Sequence, residues 1–454
     1  MVIKKISRQK VSLHTIEREK EFRVSYMQEQ MFFKDQEDEN QLCINNISMT
    51  YKITGKLHIQ ALEESINVII NKYDSLRMVF REYQGEVKAR IKNHDPKKMT
   101  TVVLKDCENE ESELRKAIED VRNIKFNLSS TSPIKFYLFV VSESIHYFVV
   151  IVHHIIFDGW SKSVFFNDLI YHYEKMIHSS HVNYKEAKHP ILQYKDFVKE
   201  QRREENKLFK SQMEYWRKEL STAVEEINFP KSSTTFNKYE GDYIVLSVGR
   251  DSYSNLLEIG KKENVTLFTV LLACSFLLFK KQFQKKRMNI GIPVANRNEL
   301  YTNNLIGYFA NRVVIGADFT TIDDFPSLIK LVHHKCLNAY SNQEIPFEKV
   351  VELLSPNSHM GYAPFFQIAF LMVDGKVKKQ AMVENTQFIE VNLSKSNISK
   401  FDLSLIVVEK EADIDIMLQF RKNIKLDVIM ELKENLMKII NTVCKNSCTT
   451  IEKI

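Results

Sequence analysis

His153, His154, Asp158 and Gly159 fall together in the segment Val152-His153-His154-Ile155-Ile156-Phe157-Asp158-Gly159-Trp160-Ser161. An imidazole can take a proton or hold a nucleophile by a hydrogen bond near neutral pH. An aspartate four residues after His154 can hold the loop or orient the ring. Glycine beside it lets backbone or substrate come close. A second pair, His333-His334, sits in residues 331–337, which read as helical, and no Asp-Gly follows it. That pair is expected to be structural.

The elements that must position this segment can be read around it. Residues 134–141 and 145–152 are apolar runs separated by Ser142-Glu143-Ser144, so they predict two neighbouring buried strands. The histidines then stand at the exit of the second strand, where the chain turns and exposes side chains. Leu62, Ile66, Ile69 and Tyr73 recur at helical spacing. Residues 289–293 and 365–373 read as strands, the latter meeting the turn signal Asp374-Gly375. Residues 403–408 and 414–420 read as a hairpin. Ile429, Leu432, Leu436, Ile439 and Val443 predict an amphipathic final helix. The class is α/β. Polar sequence at 179–189 and 200–210 marks the connection between two halves, 1–180 and 181–454.

Composition narrows the field. The chain has 454 residues, 44% hydrophobic and 27% charged, with a formal net charge of +6. It is ordinary globular sequence, long enough to bury a core without disulfides or structural metal. The charge excess is too small and dispersed for nucleic-acid binding. The densest basic run, Lys280 to Arg287, ends an apolar segment and suits a helix C-terminus. That apolar segment, 265–279, is short for a membrane span and reads as a buried helix ended by Lys280 and Lys281. Of the six cysteines only Cys444 and Cys448 are close, which is weak evidence of a metal site, so no metal is expected. Reduced thiols and an N-terminus without an apolar signal core point to a cytoplasmic protein off the membrane.

The histidine segment resembles the His-His-x-x-x-Asp-Gly motif of the condensation domains of nonribosomal peptide synthetases, in the chloramphenicol-acetyltransferase-like superfamily. Other segments resemble the family's motifs in the family's order. Ser25-Tyr26-Met27-Gln28-Glu29-Gln30-Met31-Phe32-Phe33 is similar to the opening motif, with Phe32 in place of Trp. Tyr73-Asp74-Ser75-Leu76-Arg77-Met78-Val79-Phe80 is similar to the second, with Tyr for His and Asp for Glu. Tyr194-Lys195-Asp196-Phe197 follows, then Gly291 to Arg297, Ile306 to Asn311, and Asn342 to Glu348. Two positions depart: Ser358 stands where an Arg usually precedes Pro364, and Arg312 stands where Thr is common.

The resemblance implies two acetyltransferase-like lobes in a V-shaped pseudo-dimer with a central tunnel. The phosphopantetheine arms of two carrier proteins would enter that tunnel from opposite faces. It implies His154 as the catalytic residue, Asp158 in a structural pair with Arg297, and His153, Gly159, Trp160 and Asn311 in support. It implies amide formation between a carrier-bound acyl or aminoacyl thioester and an amine, with no cofactor bound by the chain itself. Heterocyclising relatives carry aspartates where His153 and His154 stand. Epimerising relatives show Ser-Trp after the glycine, and plant-type acyltransferases carry an Asp-Phe-Gly-Trp-Gly loop not found here. Neither an adenylation-type phosphate loop nor a Gly-x-Ser phosphopantetheine-attachment segment is present. With Met1 at its start, the chain is expected to be a free-standing enzyme acting on carriers in trans. The alternatives are an acyltransferase using a free small amine or alcohol, and a silent docking module.

Overall fold

The computed structural model describes residues 21–36, 43–93, 96–104, 110–178, 190–203, 207–221, 226–355, 365–375, 379–393 and 398–454. Pro364, Ser358 and Cys107 lie outside the described residues.

The first half runs β1 (Phe22–Arg23), α1 (Tyr26–Gln36), β2 (Asn46–Thr54), α2 (Ile59–Lys72), β3 (Met78–Tyr83), β4 (Glu86–Ile91), β5 (Thr100–Val103), α3 (Glu110–Arg122), β6 (Ile134–Val140), β7 (Ile145–His153) and α4 (Ser161–His178). After α5 (Tyr194–Gln201) and α6 (Lys207–Glu219), the second half runs β8 (Gly241–Ser247), α7 (Arg250–Lys262), α8 (Leu267–Phe283), β9 (Arg287–Val294), β10 (Asn311–Asp318), α9 (Phe325–Ser341), α10 (Phe347–Leu354), β11 (Ile368–Asp374), β12 (Gln380–Val383), β13 (Thr386–Glu390), β14 (Leu403–Glu409), β15 (Ile414–Arg421) and α11 (Leu426–Lys445).

Two six-stranded mixed sheets organise the chain, in the orders β12-β13-β2-β7-β6-β5 and β10-β9-β11-β14-β15-β8. β6 and β7 pair antiparallel across the short serine turn, and Phe148 through Val152 have no exposed surface. Such unbroken apolar strands need cover on both faces. α2 and α4 pack together, and Leu62, Ile66 and Ile69 of α2 join Phe165 and Leu169 of α4 in one core. The second core centres on α8, which α7, α9 and α11 surround and which is buried from Leu271 through Phe279. α8 continues past Lys280 and Lys281 because Phe283 still packs on that core.

The halves are not cut cleanly at 180/181. Tyr194 and Val198 of α5 belong to the first core, and the second begins at Met213. Two later segments also return to the first half. β13 pairs with β2, closing an edge that would otherwise expose unpaired backbone, and residues 305–309 pack into the first core. Asp374-Gly375 ends β11 but makes no hairpin. β11 lies parallel to β14, which requires a crossover instead.

Candidate active site

β7 delivers the histidines to the boundary between the two cores. The strand ends at His153, and residues 154–156 turn in a 3-10 helix. Three contacts fix that turn. His154 N–H donates to the Asn45 carbonyl at 2.7 Å, and Ile155 N–H donates to His153 Nδ1 at 3.1 Å. The Gln28 amide donates to the Ile155 carbonyl at 2.8 Å. Gln28 is itself set by a reciprocal cap at the start of α1. Ser25 N–H donates to Gln28 Oε1, and Gln28 N–H donates to the Ser25 hydroxyl, both at 3.1 Å.

The two imidazoles face different surroundings. His153 is 2% exposed. Its Nδ1 accepts from Ile155, which leaves the ring proton on Nε2, 2.9 Å from Asp35 Oδ2. This ring is committed to structure at both nitrogens. His154 lines a cavity of about 260 Å³ between the halves and meets the Tyr308 ring edge-on, with centroids 4.6 Å apart. Its Nδ1 is buried without a hydrogen-bond partner. Enclosure by protein, followed by the charge of Lys400, pushes its pKa from the ordinary 6.5 down to about 3. The imidazole is therefore neutral at physiological pH and a weak base.

Asp158 is fully engaged. Its Oδ1 accepts from Ser161 N–H at 2.8 Å and the Ser161 hydroxyl at 2.7 Å, and its Oδ2 accepts from Phe309 N–H at 3.1 Å. Arg297 Nη2 reaches both oxygens, at 2.9 and 3.1 Å, and the two side chains are 2% and 1% exposed. Arg297 also donates to the carbonyls of Thr302 and Leu305, and its guanidinium lies 4.2 Å from the Phe309 ring centroid. Since Arg297 follows β9 and Asp158 follows β7, this pair joins the two halves. No lone pair of Asp158 is left to serve as a base.

Trp160 and Gly159 lie on the loop's outer side. Trp160 is 47% exposed, donates its indole N–H to the Asn303 carbonyl at 3.0 Å, and lines an open groove of about 1070 Å³. The motif thus stands between two concavities, with His154 on one and Trp160 on the other. A Cβ on Gly159 would meet nothing within 4 Å, whereas a Cβ on Gly307 would lie 2.2 Å from the Tyr194 ring. Gly159→Ala is accordingly expected to keep its melting temperature within about 1 °C, and Gly307→Ala to fall by several degrees through overpacking. Equal thermal scans of the two variants would refute this reading of the glycines.

Asn311 lines the same cavity as His154, but its side chain is committed to backbone. Its amide donates to the Gln343 and Ile345 carbonyls at 2.7 and 2.8 Å, and its Oδ1 accepts from Phe347 N–H at 3.0 Å. It ties the start of β10 to the first turn of α10. Arg312, one of the departing positions, pairs with Glu348 at 3.0 Å and lines the His154 cavity. The second motif also braces the site. Ser75 donates to the Ile306 carbonyl at 2.6 Å, and Tyr73 donates to Asp168 at 2.7 Å. His333-His334 falls within α9, away from the cavity lining. Among the described residues no cluster of His, Cys, Asp and Glu is arranged to hold a metal ion, and Cys274, Cys336, Cys444 and Cys448 form no disulfide.

Sequence reasoning did not single out Asp35, Asn45 or Lys400. They reach the site over long sequence separations, with Asp35 bound to His153 and Lys400 Nζ donating to Asn45 Oδ1 at 3.1 Å. A residue of α1 and one just before β14 carry no local signal for such a meeting.

Comparison with known proteins gives a consistent picture. The family model of the Condensation domain matches residues 18–454. Gramicidin S synthase 2 of Brevibacillus brevis is 26% identical over 412 residues, covering 88% of this chain and 9% of that protein. The dimodular nonribosomal peptide synthase of Bacillus subtilis (strain 168) is 26% identical over 412 residues, covering 88% of this chain and 17% of that one. The chain thus spans less than a fifth of these relatives. Among solved structures, the X-domain from teicoplanin biosynthesis superposes with a TM-score of 0.84 at 19% identity, covering 98% of each chain. The first condensation domain of the calcium-dependent antibiotic synthetase, in complex with a substrate analogue, gives 0.75 at 13% identity, covering 96% of this chain and 99% of that one. At these identities the superpositions speak for the fold.

Proposed function

The chain belongs to the condensation-domain family, and from that premise we propose that it joins a carrier-bound acyl or aminoacyl thioester to an amine, forming an amide. The observation that carries this reading is the neutral His154 imidazole lining a partly open cavity between the halves, on a loop whose other side borders a second concavity. Two carrier-delivered substrates brought together at His154 would react as though tethered, and positioning alone supplies a large part of such a rate.

The proton balance is simple. The amine nitrogen attacks the thioester carbonyl, the C–S bond breaks, and the amine proton leaves with the sulfur as thiol. His154 accepts a hydrogen bond from the attacking N–H and orients its lone pair. With its pKa pushed down to about 3, it holds a proton less well than an ordinary histidine. Its part is therefore orientation more than storage of the proton. Asp158 and Arg297 keep the loop in place, and the chain supplies no cofactor of its own. The substrates arrive on phosphopantetheine arms of carrier proteins, and the setting is cytoplasmic. Among the described residues no single helix is long and apolar enough to cross a membrane.

The test is intact-protein mass spectrometry of two loaded carriers mixed with the protein. Transfer of the donor mass onto the acceptor is expected. With a net charge of +6, the apparent carrier affinity should fall several-fold between 50 and 500 mM salt, as the Debye length shrinks from about 14 to about 4 Å. Equal turnover of free thioesters and free amines would instead favour a small-molecule acyltransferase. A second reading, a docking module, is favoured by the fold shared with the X-domain, which has been solved in complex with OxyB. No transfer with any carrier pair would select it.

A further inference from the structure

We propose that the Tyr308 hydroxyl is the oxyanion donor of the site, giving a hydrogen bond to the thioester carbonyl oxygen as that oxygen takes up charge. This deepens, and rests on, the condensation reading above.

Attack of an amine on a thioester turns the carbonyl oxygen into an alkoxide, and a preorganised donor aimed at that oxygen lowers the barrier. His154 orients the amine and leaves the oxygen unserved. Tyr308 lines the same cavity, with its ring edge-on to the imidazole at 4.6 Å. Its backbone is pinned on both sides to the loop that carries His154. Gly307 N–H donates to the Ser161 hydroxyl and Phe309 N–H to Asp158 Oδ2, both at 3.1 Å. Its own carbonyl accepts from the Tyr194 hydroxyl at 2.8 Å. Imidazole and phenol are thus held in a fixed relation, the condition for two groups that act on one reacting centre.

The phenol keeps its proton and has it to give. Enclosure by protein pushes its pKa up to about 12, with Arg312 opposing. Arg312, which also lines the cavity, lies beside the hydroxyl. It pairs with one Glu348 oxygen at 3.0 Å, and the other Glu348 oxygen has no hydrogen-bond partner, so the phenol does not donate to that carboxylate. No other acceptor takes its proton among the described residues. A guanidinium beside the oxygen polarises the O–H and strengthens the bond it can give. Lys400 also lines the cavity, but its ammonium donates to Asn45 Oδ1 at 3.1 Å.

The step balances without any further group. The nitrogen–carbon bond forms as the carbonyl π pair moves to oxygen. Tyr308 donates a hydrogen bond to that oxygen and gives up no proton. When the pair returns, the C–S bond breaks and the amine proton leaves with the sulfur.

Tyr308→Phe tests this, since it removes one oxygen and keeps the ring against His154. With two loaded carriers its kcat should fall about 10²-fold while KM stays within about twofold. A ring with only a packing role would leave kcat unchanged. Calorimetry on the full chain supplies the second measurement, with two pantetheine analogues as probes. One ends in a methylphosphinate, tetrahedral and anionic like the alkoxide. The other ends in an acetamide, planar and neutral like the thioester. The wild-type protein should bind the phosphinate about tenfold tighter. Tyr308→Phe should lose that advantage with acetamide affinity unchanged, and Lys400→Met should keep it. A Tyr308→Phe kcat within about threefold of wild type, no phosphinate binding at millimolar concentration, or an advantage lost in Lys400→Met and kept in Tyr308→Phe would overturn the proposal. Amides formed by Tyr308→Phe at an undiminished rate remove it and leave the condensation reading standing. A phosphinate advantage that depends on Tyr308, with no amide from any carrier pair, does the reverse.

Discussion

Arg297→Ala is expected to destabilise the protein by about 3–5 kcal/mol, because it strands Asp158 as an unpaired buried carboxylate. The guanidinium touches Asp158, Ser161 and the Thr302 and Leu305 carbonyls together. Its loss frees two carbonyls and opens the seam between the sheets as well. Arg297→Lys should recover a small part, since one ammonium cannot serve acceptors on three sides. The effect should also be non-additive. Asp158→Asn combined with Arg297→Met should cost less than the two single changes summed, because each single change leaves a lone charge behind. Urea titrations of the four proteins measure this. An Arg297→Ala midpoint within the equivalent of about 1 kcal/mol of wild type would show that the pair adds nothing to the seam.

That pairing shows how far the sequence can be read. Asp158 and Arg297 are 139 positions apart, and nothing in composition or periodicity joins them. Their partnership follows from resemblance, whereas the strands that present them follow from the chain itself. Residues 134–141 and 145–152 are apolar for their whole length, and burial on both faces demands that pattern. The final helix is legible for the same reason, through its apolar stripe. What could not be read is what depends on the return of distant segments. β13 completes the first sheet from residues 386–390, and a four- or five-residue strand is too short to declare its partner. The boundary between halves was placed at the polar stretch, but α5 beyond it is held to the first core by Tyr194, whose hydroxyl donates to the Tyr308 carbonyl at 2.8 Å. Arg312 is legible in the sequence as a departure from its motif, but its pairing with Glu348 beside the His154 cavity is not.

The burial of the imidazole changes what removing His154 should do. An ordinary histidine beside the amine would serve as a general base, worth about 10²–10⁴ in rate. Here the imidazole is neutral and weakly basic, so His154→Ala should fall at the lower end, about 10² in kcat, with the fold intact. His153→Ala, which removes the contacts to Asp35 and Ile155, should mainly lower soluble yield. The pH dependence separates the two roles for His154. A proton-storing histidine would put a limb near pH 6.5 on kcat/KM, and its removal would erase that limb. With a folded pKa of about 3, no such limb should exist, and the profile should instead follow the acceptor amine. Stability carries the complementary signature. The unfolded state takes up a proton below about pH 6.5 while the folded state does not until about pH 3, so unfolding gains protons and the native protein loses stability as pH falls through that window. His154→Ala removes this contribution, and its stability should therefore decline less than that of wild type between about pH 6.5 and 4. A wild-type limb near pH 6.5 that vanishes in His154→Ala would mean that the imidazole titrates in the working enzyme, and the orienting role would have to give way to general-base catalysis.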